Sequence, residues 1–474
     1  MDRTALFSTL GLVALFAACT TLFFFHDLSY SELQKEYVPG VHGVHMLRGE
    51  GLSFDPWEPL EKNLSLEEML KALCGEVGLD SSCYLDHGMR FRTFEKKHII
   101  DGALTLHRTL VPLSREEITP ALLDERIHLI AQWLKLNQRP DGSLPYLYFP
   151  STDSYSADDN AIRQLITVQG IFALATALDD TELQRAGEKA EARALQRWIR
   201  GSAGFSHLFD YDGRSSLGAS ALAVLVMRGH DTGVVSERER QLGEYLLLMQ
   251  RPNGSFQTFL DSPASTENER FYSGEALTAL ARLASASDDT RYDDALTKGH
   301  QYYWEKLRND FSPQYAPWHM QAYALAYLDT KNEEYAHYVF WLADGLIETM
   351  LEGDKALPDE DGRFFNRAYP DWGPPHSAST GIYVEGLTYA YEVAEERGDT
   401  KKMERYADAI LRGTRSLLQL QWTPETAYYV DHPDRVVGSF KVSVTNNTMR
   451  IDQVGHAANA LVRVRALSLT NAHK

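Results

Sequence analysis

The sequence predicts a mainly α-helical chain whose helices close into a ring of six helical hairpins, an (α/α)6 toroid. Downstream of about residue 118, two kinds of helical segment alternate six times. Segments of the second kind are apolar nearly all round, and a Gln-Arg-Pro-(Asp/Asn)-Gly-Ser stretch occurs twice, each time after a segment of the first kind. A short sequence that recurs between similar segments is typical of repeat architectures.

The first kind of segment is long, charged and amphipathic, which predicts a helix exposed on one side. These segments begin at Ile118, Asp180, Ser236, Asp288, Asn332 and Thr400. The second kind is shorter and rich in Ala and Gly, with starts at Ala161, Ser215, Tyr272, Trp318, Ser379 and Arg450. A helix without a polar face is buried on all sides, so we expect six inner helices inside a jacket of six outer ones. An open solenoid also alternates, but it does not need a fully buried layer.

The repeated stretches begin at Gln138 and Gln250 and contain the residues of a tight turn. We interpret them as links that carry the chain from an outer helix to an inner one. With these turns and six hairpins, most of the chain resembles the six-hairpin superfamily of carbohydrate-active proteins, which includes glycoside hydrolases, polysaccharide lyases and epimerases. The resemblance rests on architecture and turns, and it includes no catalytic signature.

The N-terminus predicts a membrane anchor. Residues 5–25 form 21 residues without a charge, long enough to span a bilayer as a helix. A lipoprotein processing site ending at Cys19 and a cleaved signal peptide are alternatives, although the apolar run continues beyond Cys19. The anchor, the lipoprotein site and the signal peptide would each place the remaining chain on the extracytoplasmic, periplasmic side. Residues 26–115 are predicted to form a small α/β region, and residues 116–468 the toroid.

Cysteine usage agrees with export. Cys74 and Cys83 lie close together in the sequence, and in an exported chain such a pair predicts a disulfide. The alternative is two free buried thiols.

Composition and motifs limit the kinds of ligand that the protein is expected to bind. The formal charge of −19 argues against nucleic-acid binding, although it also suits an ordinary soluble surface. The sequence has no GxGxxG after a strand, Walker loop, HExxH or Cys/His cluster, so we expect no cofactor and no metal. It also lacks the DxDD motif of terpenoid cyclases, another class of toroid.

Loop lengths place the predicted site at one end of the ring. Connections from outer to inner helices are long, whereas connections back are short, as at residues 179–180. Long loops therefore gather above the N-termini of the inner helices, where helix dipoles supply partial positive charge. We call this the long-loop end and the opposite one the short-loop end.

The candidate residues come from the inner helices and their approaches. The catalytic candidates are Glu275, Glu385, Asp452, His376 and His319. The candidates for substrate binding are Asp159, Arg163, Tyr272, Trp318, Tyr383, Arg450 and His456. Each has a structural alternative, namely a helix cap, a salt bridge, a core histidine or a core aromatic. Glu385 stands out, because a carboxyl group among apolar and small residues is costly unless it is paired or used.

The sequence leaves two reactions open for an exported, membrane-anchored enzyme acting on a polysaccharide or oligosaccharide. Hydrolysis needs two carboxyl groups, for which Glu275 with Glu385 or Asp452 are candidates. A lyase or C5-epimerase needs a His or Tyr base and a cation that binds the uronate. Seven arginines expected near the long-loop end favour an acidic glycan, unless they only balance nearby acids: Arg163, Arg214, Arg270, Arg363, Arg367, Arg435 and Arg450. The alternative function is a non-catalytic glycan-binding or scaffold component of an envelope polysaccharide assembly system.

Overall fold

A computed structural model describes residues 27–47, 52–202, 204–209, 213–229, 233–353, 357–365, 368–369, 376–467 and 469. The described residues up to Thr109 form one compact unit and those from Leu110 onward a second. The predicted anchor, residues 1–25, lies outside the described residues, as does Arg367. Within the described part, one helix is long and apolar enough to cross a membrane, Ala161–Leu178, and it is mostly buried inside the second unit.

The first unit is a small α/β fold. Its elements are α1 (Tyr30–Glu36), β1 (His42–Met46), β2 (Leu52–Phe54), α2 (Glu58–Lys62), α3 (Leu66–Glu76), β3 (Phe91–Glu95), β4 (His98–Ile100) and β5 (Leu104–Leu106). Strand β1 pairs antiparallel with β2 and β3, and β4 pairs with β5. Ser65 caps α3 and Glu68 reaches back to the Ser65 amide, a capping box that fixes the helix start. The Cys74–Cys83 disulfide predicted from the sequence joins the end of α3 to the following turn.

The second unit is a closed toroid of twelve helices. In chain order, outer and inner helices alternate as α4 (Pro120–Asn137), α5 (Ala161–Leu178), α6 (Thr181–Trp198), α7 (Leu217–Arg228), α8 (Glu237–Met249), α9 (Glu269–Ser285), α10 (Arg291–Asn309), α11 (Ala316–Thr330), α12 (Glu333–Ile347), α13 (Ser377–Glu396), α14 (Thr400–Gln419) and α15 (Ile451–Leu467). The inner helices α5, α7, α9, α11, α13 and α15 each pack against the next, and α15 packs against α5. This contact closes the ring, so the predicted six-hairpin toroid is confirmed.

The repeated turns lock neighbouring outer helices together. The Gln138 side chain donates hydrogen bonds to the carbonyls of Gly142 in its own turn (3.1 Å) and Ala186 in α6 (2.8 Å). Gln250 does the same with Gly254 (3.3 Å) and Ala295 in α10 (2.8 Å). The turn glycines have positive φ, and a Cβ at Gly254 would lie 2.1 Å from a backbone oxygen of α10, so only glycine fits.

The same link recurs without its sequence signature where the ring closes. The Gln421 side chain donates to Gly438 (3.3 Å) and to the carbonyl of Arg126 in α4 (3.0 Å). A Cβ at Gly438 would lie 2.1 Å from a backbone oxygen of α4. This glycine lies 17 positions after its glutamine, rather than 4, which hides the motif in the sequence.

The long connections lie at one end of the ring, where their short strands pair into small sheets. Two of them supply the sheet order β11-β12-β6-β7, formed by β6 (Leu147–Phe149), β7 (Ser154–Tyr155), β11 (Lys441–Ser443) and β12 (Asn446–Arg450). A third carries β8 (Ile199–Ser202), β9 (Phe205–Phe209) and β10 (Ser215–Ser216). All three lead into the N-termini of inner helices, as the loop lengths predicted.

Candidate functional site

A cavity of about 990 Å³ lies inside the ring of inner helices; we call it the ring cavity. Its inner part is lined by Thr278, Trp318, Gln321, Glu385 and Asn459, which come from α9, α11, α13 and α15. Toward its mouth it is lined by Thr176, Arg282, Ser285, Tyr389 and Arg463, which lie in the C-terminal halves of α5, α9, α13 and α15. The cavity therefore opens at the short-loop end, whereas the sequence led us to expect the site at the long-loop end.

Glu385 is the carboxyl group of this cavity. It is 6% exposed, and its Oε2 atom has no hydrogen-bond partner among the described residues. Burial raises the pKa of Glu385 from its ordinary 4.5 to about 8, although the positive charges of Arg463 and Arg282 oppose the rise. At neutral pH the side chain is therefore an un-ionised acid, able to donate a proton into the cavity.

Other polar and aromatic groups share the cavity wall with Glu385. Gln321 is 3% exposed and its Nε2 amide has no partner within the described structure. The ring of Trp318 offers a flat apolar surface, and α9 can approach it closely because Gly274 lies against its Cβ atom. Unsatisfied buried donors and acceptors beside an aromatic face are suited to a polyhydroxylated ligand that supplies the missing hydrogen bonds.

A second group of predicted residues meets at the long-loop end; we call Arg163, His376, Arg450, Asp452 and His456 the arginine–histidine cluster. Arg163 contacts Asp452 at 2.6 Å, and Arg450 contacts its two oxygens at 2.6 and 2.9 Å. Burial alone would raise the pKa of Asp452, but the charges of the two arginines outweigh it and hold the pKa well below its usual range. Asp452 is therefore ionised, and it forms ion pairs with both Arg163 and Arg450, which are partly exposed.

Two imidazoles border these arginines. His376 caps α13, and its Nδ1 atom accepts a hydrogen bond from the Ser379 amide (3.1 Å), which places the ring proton on Nε2. Burial, reinforced by the charge of Arg450, lowers the pKa of His376 to about 4. Burial likewise lowers the pKa of His456 to about 4, and its Nδ1 atom has no partner among the described residues. Both rings are therefore neutral at physiological pH. The ring centroid of His456 lies 6.3 Å from that of Trp318, a residue of the ring cavity.

Of the other predicted residues, Glu275 and Tyr272 pack together against α7. A Cβ at Gly218 would lie 2.4 Å from both the Glu275 carboxyl and the Tyr272 ring, so the glycine makes room for them. Glu275 is 3% exposed and lies one helical turn before Thr278, a lining residue of the ring cavity. Tyr383 is buried against Phe364, with ring centroids 5.2 Å apart.

Two further predicted site residues, His319 and Asp159, are engaged by neighbouring side chains. His319 is fully buried, with Nδ1 3.0 Å from the Tyr338 hydroxyl and Nε2 3.3 Å from the Ser273 hydroxyl. It is a core histidine with both nitrogens occupied, outside the lining of the ring cavity. Asp159 bonds Gln164 and pairs with Arg193 of the outer helix α6 at 3.2 Å, so its charge is used within the fold.

The arginines expected to attract an acidic glycan at the long-loop end are largely neutralised there. Arg214 pairs with Glu267, Arg363 with Asp359 and Arg435 with Asp153. Arg163 and Arg450 share Asp452, and Arg270 stacks on Tyr369 at 4.2 Å. Five of these arginines therefore balance nearby acidic residues, which is the alternative to glycan binding that the sequence left open.

Sequence reasoning passed over Arg282, Arg463, Asn459 and Tyr389, which lie beyond the helix starts that it searched. Neither arginine gave a signal, since Arg282 and Arg463 both lie in the last turns of an inner helix, where a cation is ordinary. Among the described residues, no cluster of three or more His, Cys, Asp or Glu side chains is placed to hold a metal ion.

Solved structures share the architecture at low sequence identity. They include a heparin-specific unsaturated glucuronyl hydrolase (TM-score 0.54, 10% identity, 73% of this chain and 98% of that one) and a D-mannose isomerase (0.54, 11%, 73% and 98%). A third is an inactive α-1,6-mannanase variant from Salegentibacter sp. HEL1_6 in complex with α-1,6-mannotriose (0.55, 10%, 73% and 99%). These likenesses establish the fold and confirm the resemblance to the six-hairpin proteins. No protein-family model matches the sequence, and no curated protein is significantly similar to it.

Proposed function

We propose that this chain is a carbohydrate-active enzyme that hydrolyses a glycan bound in the ring cavity, with Glu385 as the general acid. The observation that carries the proposal is a buried, un-ionised carboxyl group with a free oxygen in the wall of a cavity large enough for sugar units. Three structural neighbours are a glycoside hydrolase, a sugar isomerase and a mannanase, which supports carbohydrate as the class of substrate.

Hydrolysis also needs an ionised carboxylate that activates water or attacks the sugar. Both oxygens of Asp452 are held by arginines, so Asp452 is a poor choice for this role. We assign the role to Glu275, one helical turn from the cavity wall. Trp318 would stack on a sugar ring, and Gln321 would bind its hydroxyl groups.

The arginine–histidine cluster supports a second candidate, proton abstraction next to a sugar carboxylate. A neutral imidazole can accept a proton, and neighbouring arginines stabilise the enolate that forms. His456 would be the base, since its Nδ1 atom is unpartnered within the described structure, and His376 would donate from Nε2.

We further propose that the enzyme is exported and held in the membrane by residues 5–25, with its main domain on the periplasmic side. The uncharged run supports an anchor, and the Cys74–Cys83 disulfide supports an oxidising compartment. Protease treatment of spheroplasts should degrade the main domain while the cell membrane stays intact. Protection of that domain until the cells are lysed would contradict the proposed location.

The purified full-length protein, incubated with a panel of neutral and uronate-bearing oligosaccharides, separates the candidate functions. Hydrolysis releases reducing ends, and Glu385→Gln and Glu275→Gln should each slow the release by at least about 10²-fold. Unsaturated uronate products that depend on His456 and not on Glu385 would favour proton abstraction. Binding without any product would support the alternative of a non-catalytic glycan-binding or scaffold component of a polysaccharide assembly system, and would overturn the enzyme proposal.

A further inference from the structure

The mouth of the ring cavity holds a cation that nothing in the described structure neutralises. Arg282, on α9, is exposed and makes no hydrogen bond or ion pair with the described residues. Two other arginines of the lining are engaged: Arg465 forms two hydrogen bonds with Asp124, and Arg228 lies 3.5 Å from Glu239. Arg282 is therefore available to a ligand.

Arg463, on α15, lines the cavity from the opposite side of the ring and is held in place on three sides. Its Nε donates to the Thr388 hydroxyl (2.7 Å), its Nη2 donates to Glu392 (2.7 Å), and its guanidinium lies 3.6 Å from the centre of the Tyr389 ring. Its Nη1 group has no partner among the described residues and remains free for a further acceptor. A guanidinium fixed in this way loses little entropy when it binds a carboxylate.

Arg282 and Arg463 both line the cavity toward its mouth, from α9 and α15, which are three places apart in the ring of six inner helices. The mouth therefore lies between the two side chains. Deeper still, Glu385 Oε2 and Gln321 Nε2 are buried and unpartnered within the described structure. The cavity thus offers at its mouth the cation of Arg282 and the remaining Nη1 donor of Arg463, whose charge is paired with Glu392, and at its base neutral hydrogen-bonding groups.

We propose that the ring cavity selects an acidic sugar, which enters from the short-loop end and places its carboxylate between Arg282 and Arg463. Its hydroxyl groups then reach Gln321 and Glu385. This inference rests on the proposed function, because it takes the ring cavity as the sugar site. It differs from the sequence expectation, which put recognition of a uronate at the long-loop arginines.

The charge of the whole protein gives these two residues their importance. At a formal net charge of −19, the surface repels an anionic glycan at long range. Cations at one mouth of the ring supply the local attraction that such a ligand needs, and arginine forks match the geometry of a carboxylate. A neutral sugar can accept hydrogen bonds from Arg282 but gains no charge pairing from it.

An array of paired oligosaccharides that differ only in a uronate or the matching neutral sugar tests the inference. The probe is the full-length protein, compared with Arg282→Gln, with the charge-conserving Arg282→Lys, and with Arg308→Gln as a control. Arg308 is exposed on the outer helix α10, where it lies over Trp304. Circular dichroism verifies that each variant is folded.

We expect the wild-type protein to prefer the uronate member of at least one pair. Arg282→Gln should weaken that binding by about 10-fold to 100-fold, the effect of losing a charge-assisted hydrogen bond, while Arg282→Lys retains most of it and Arg308→Gln all of it. Equal binding of both members of every pair, or an unchanged preference in Arg282→Gln, would overturn this inference and leave the proposed function standing. An array on which no sugar binds would overturn both.

Discussion

Replacing Glu385 with glutamine keeps the shape of the side chain and removes its ability to ionise. In the folded protein the pKa of Glu385 is about 8, against an ordinary value of 4.5. Between these two pH values the folded state holds a proton that the unfolded state has released. The free energy of unfolding of the wild-type protein should therefore fall as the pH rises through this window.

The size of this effect follows from the difference in proton affinity. At pH 7 the unfolded carboxyl group lies 2.5 pH units above its ordinary pKa of 4.5, and each unit corresponds to about 1.36 kcal/mol, so its protonation on folding costs about 3 kcal/mol. The Glu385→Gln variant does not incur this free-energy cost, because glutamine does not ionise. We expect the variant to be more stable than wild type at pH 7, with the gain shrinking toward pH 4.5 and growing toward pH 8.

Activity should change in the opposite direction. Loss of a general acid lowers kcat by about 10²-fold to 10⁴-fold. In the wild type, ionisation of Glu385 should reduce the rate as the pH rises through about 8, and the variant should lack this limb. A substitution that stabilises the fold and lowers activity is expected of a catalytic residue whose burial costs folding free energy.

Urea unfolding at a series of pH values, paired with assays of reducing-end release, measures both effects. Glu305→Gln, which changes an exposed carboxyl group on the outer helix α10, is the control and should alter neither. If Glu385→Gln gains no stability over wild type at pH 7, or if the gain is the same at every pH, Glu385 is not the un-ionised buried acid that we describe.

Three further substitutions test the fold. Asp452→Asn leaves two arginines without their shared anion and should destabilise the toroid by about 3 kcal/mol or more in urea unfolding; a loss below about 1 kcal/mol would show that the ion pairs are dispensable. Gly254→Ala places a methyl group against a backbone oxygen of α10 at a positive φ and should cost at least about 2 kcal/mol, whereas Gly75→Ala, with open space around it, should cost nothing. Replacing Cys74 and Cys83 with serine should destabilise the first unit by about 2–3 kcal/mol, read from its hydrogen exchange, and unchanged exchange would contradict a stabilising role for the disulfide.

Much of the toroid was predictable because burial imposes patterns on a sequence. An inner helix such as α7 touches other helices on every side, so it cannot carry a polar face, and its composition reveals its place. The link that begins at Gln138 is equally visible, because the turn requires its residues at fixed spacing. The link at Gln421 uses the same contacts across a longer loop and leaves no such pattern.

The candidate site was predictable only in part. Glu385 was identified because an unpaired carboxyl group in an apolar helix is costly wherever the helix lies. The sequence could not place His319, because a buried histidine with two hydroxyl partners and a free one in a cleft look identical in a sequence.

By itself the sequence determined the class of fold, the alternation of inner and outer helices, the end at which the long loops gather and the burial of the Glu385 carboxyl group. These properties depend on local spacing and on the cost of burying each side chain. Only the tertiary structure decided that the ring cavity opens at the short-loop end, that five of the long-loop arginines are paired with acids, and that Arg282 has no ion-pair partner among the described residues. Those outcomes depend on which side chains meet across the ring. Partners such as Arg163 and Asp452 are 289 positions apart in sequence, so no local pattern can show that they neutralise each other.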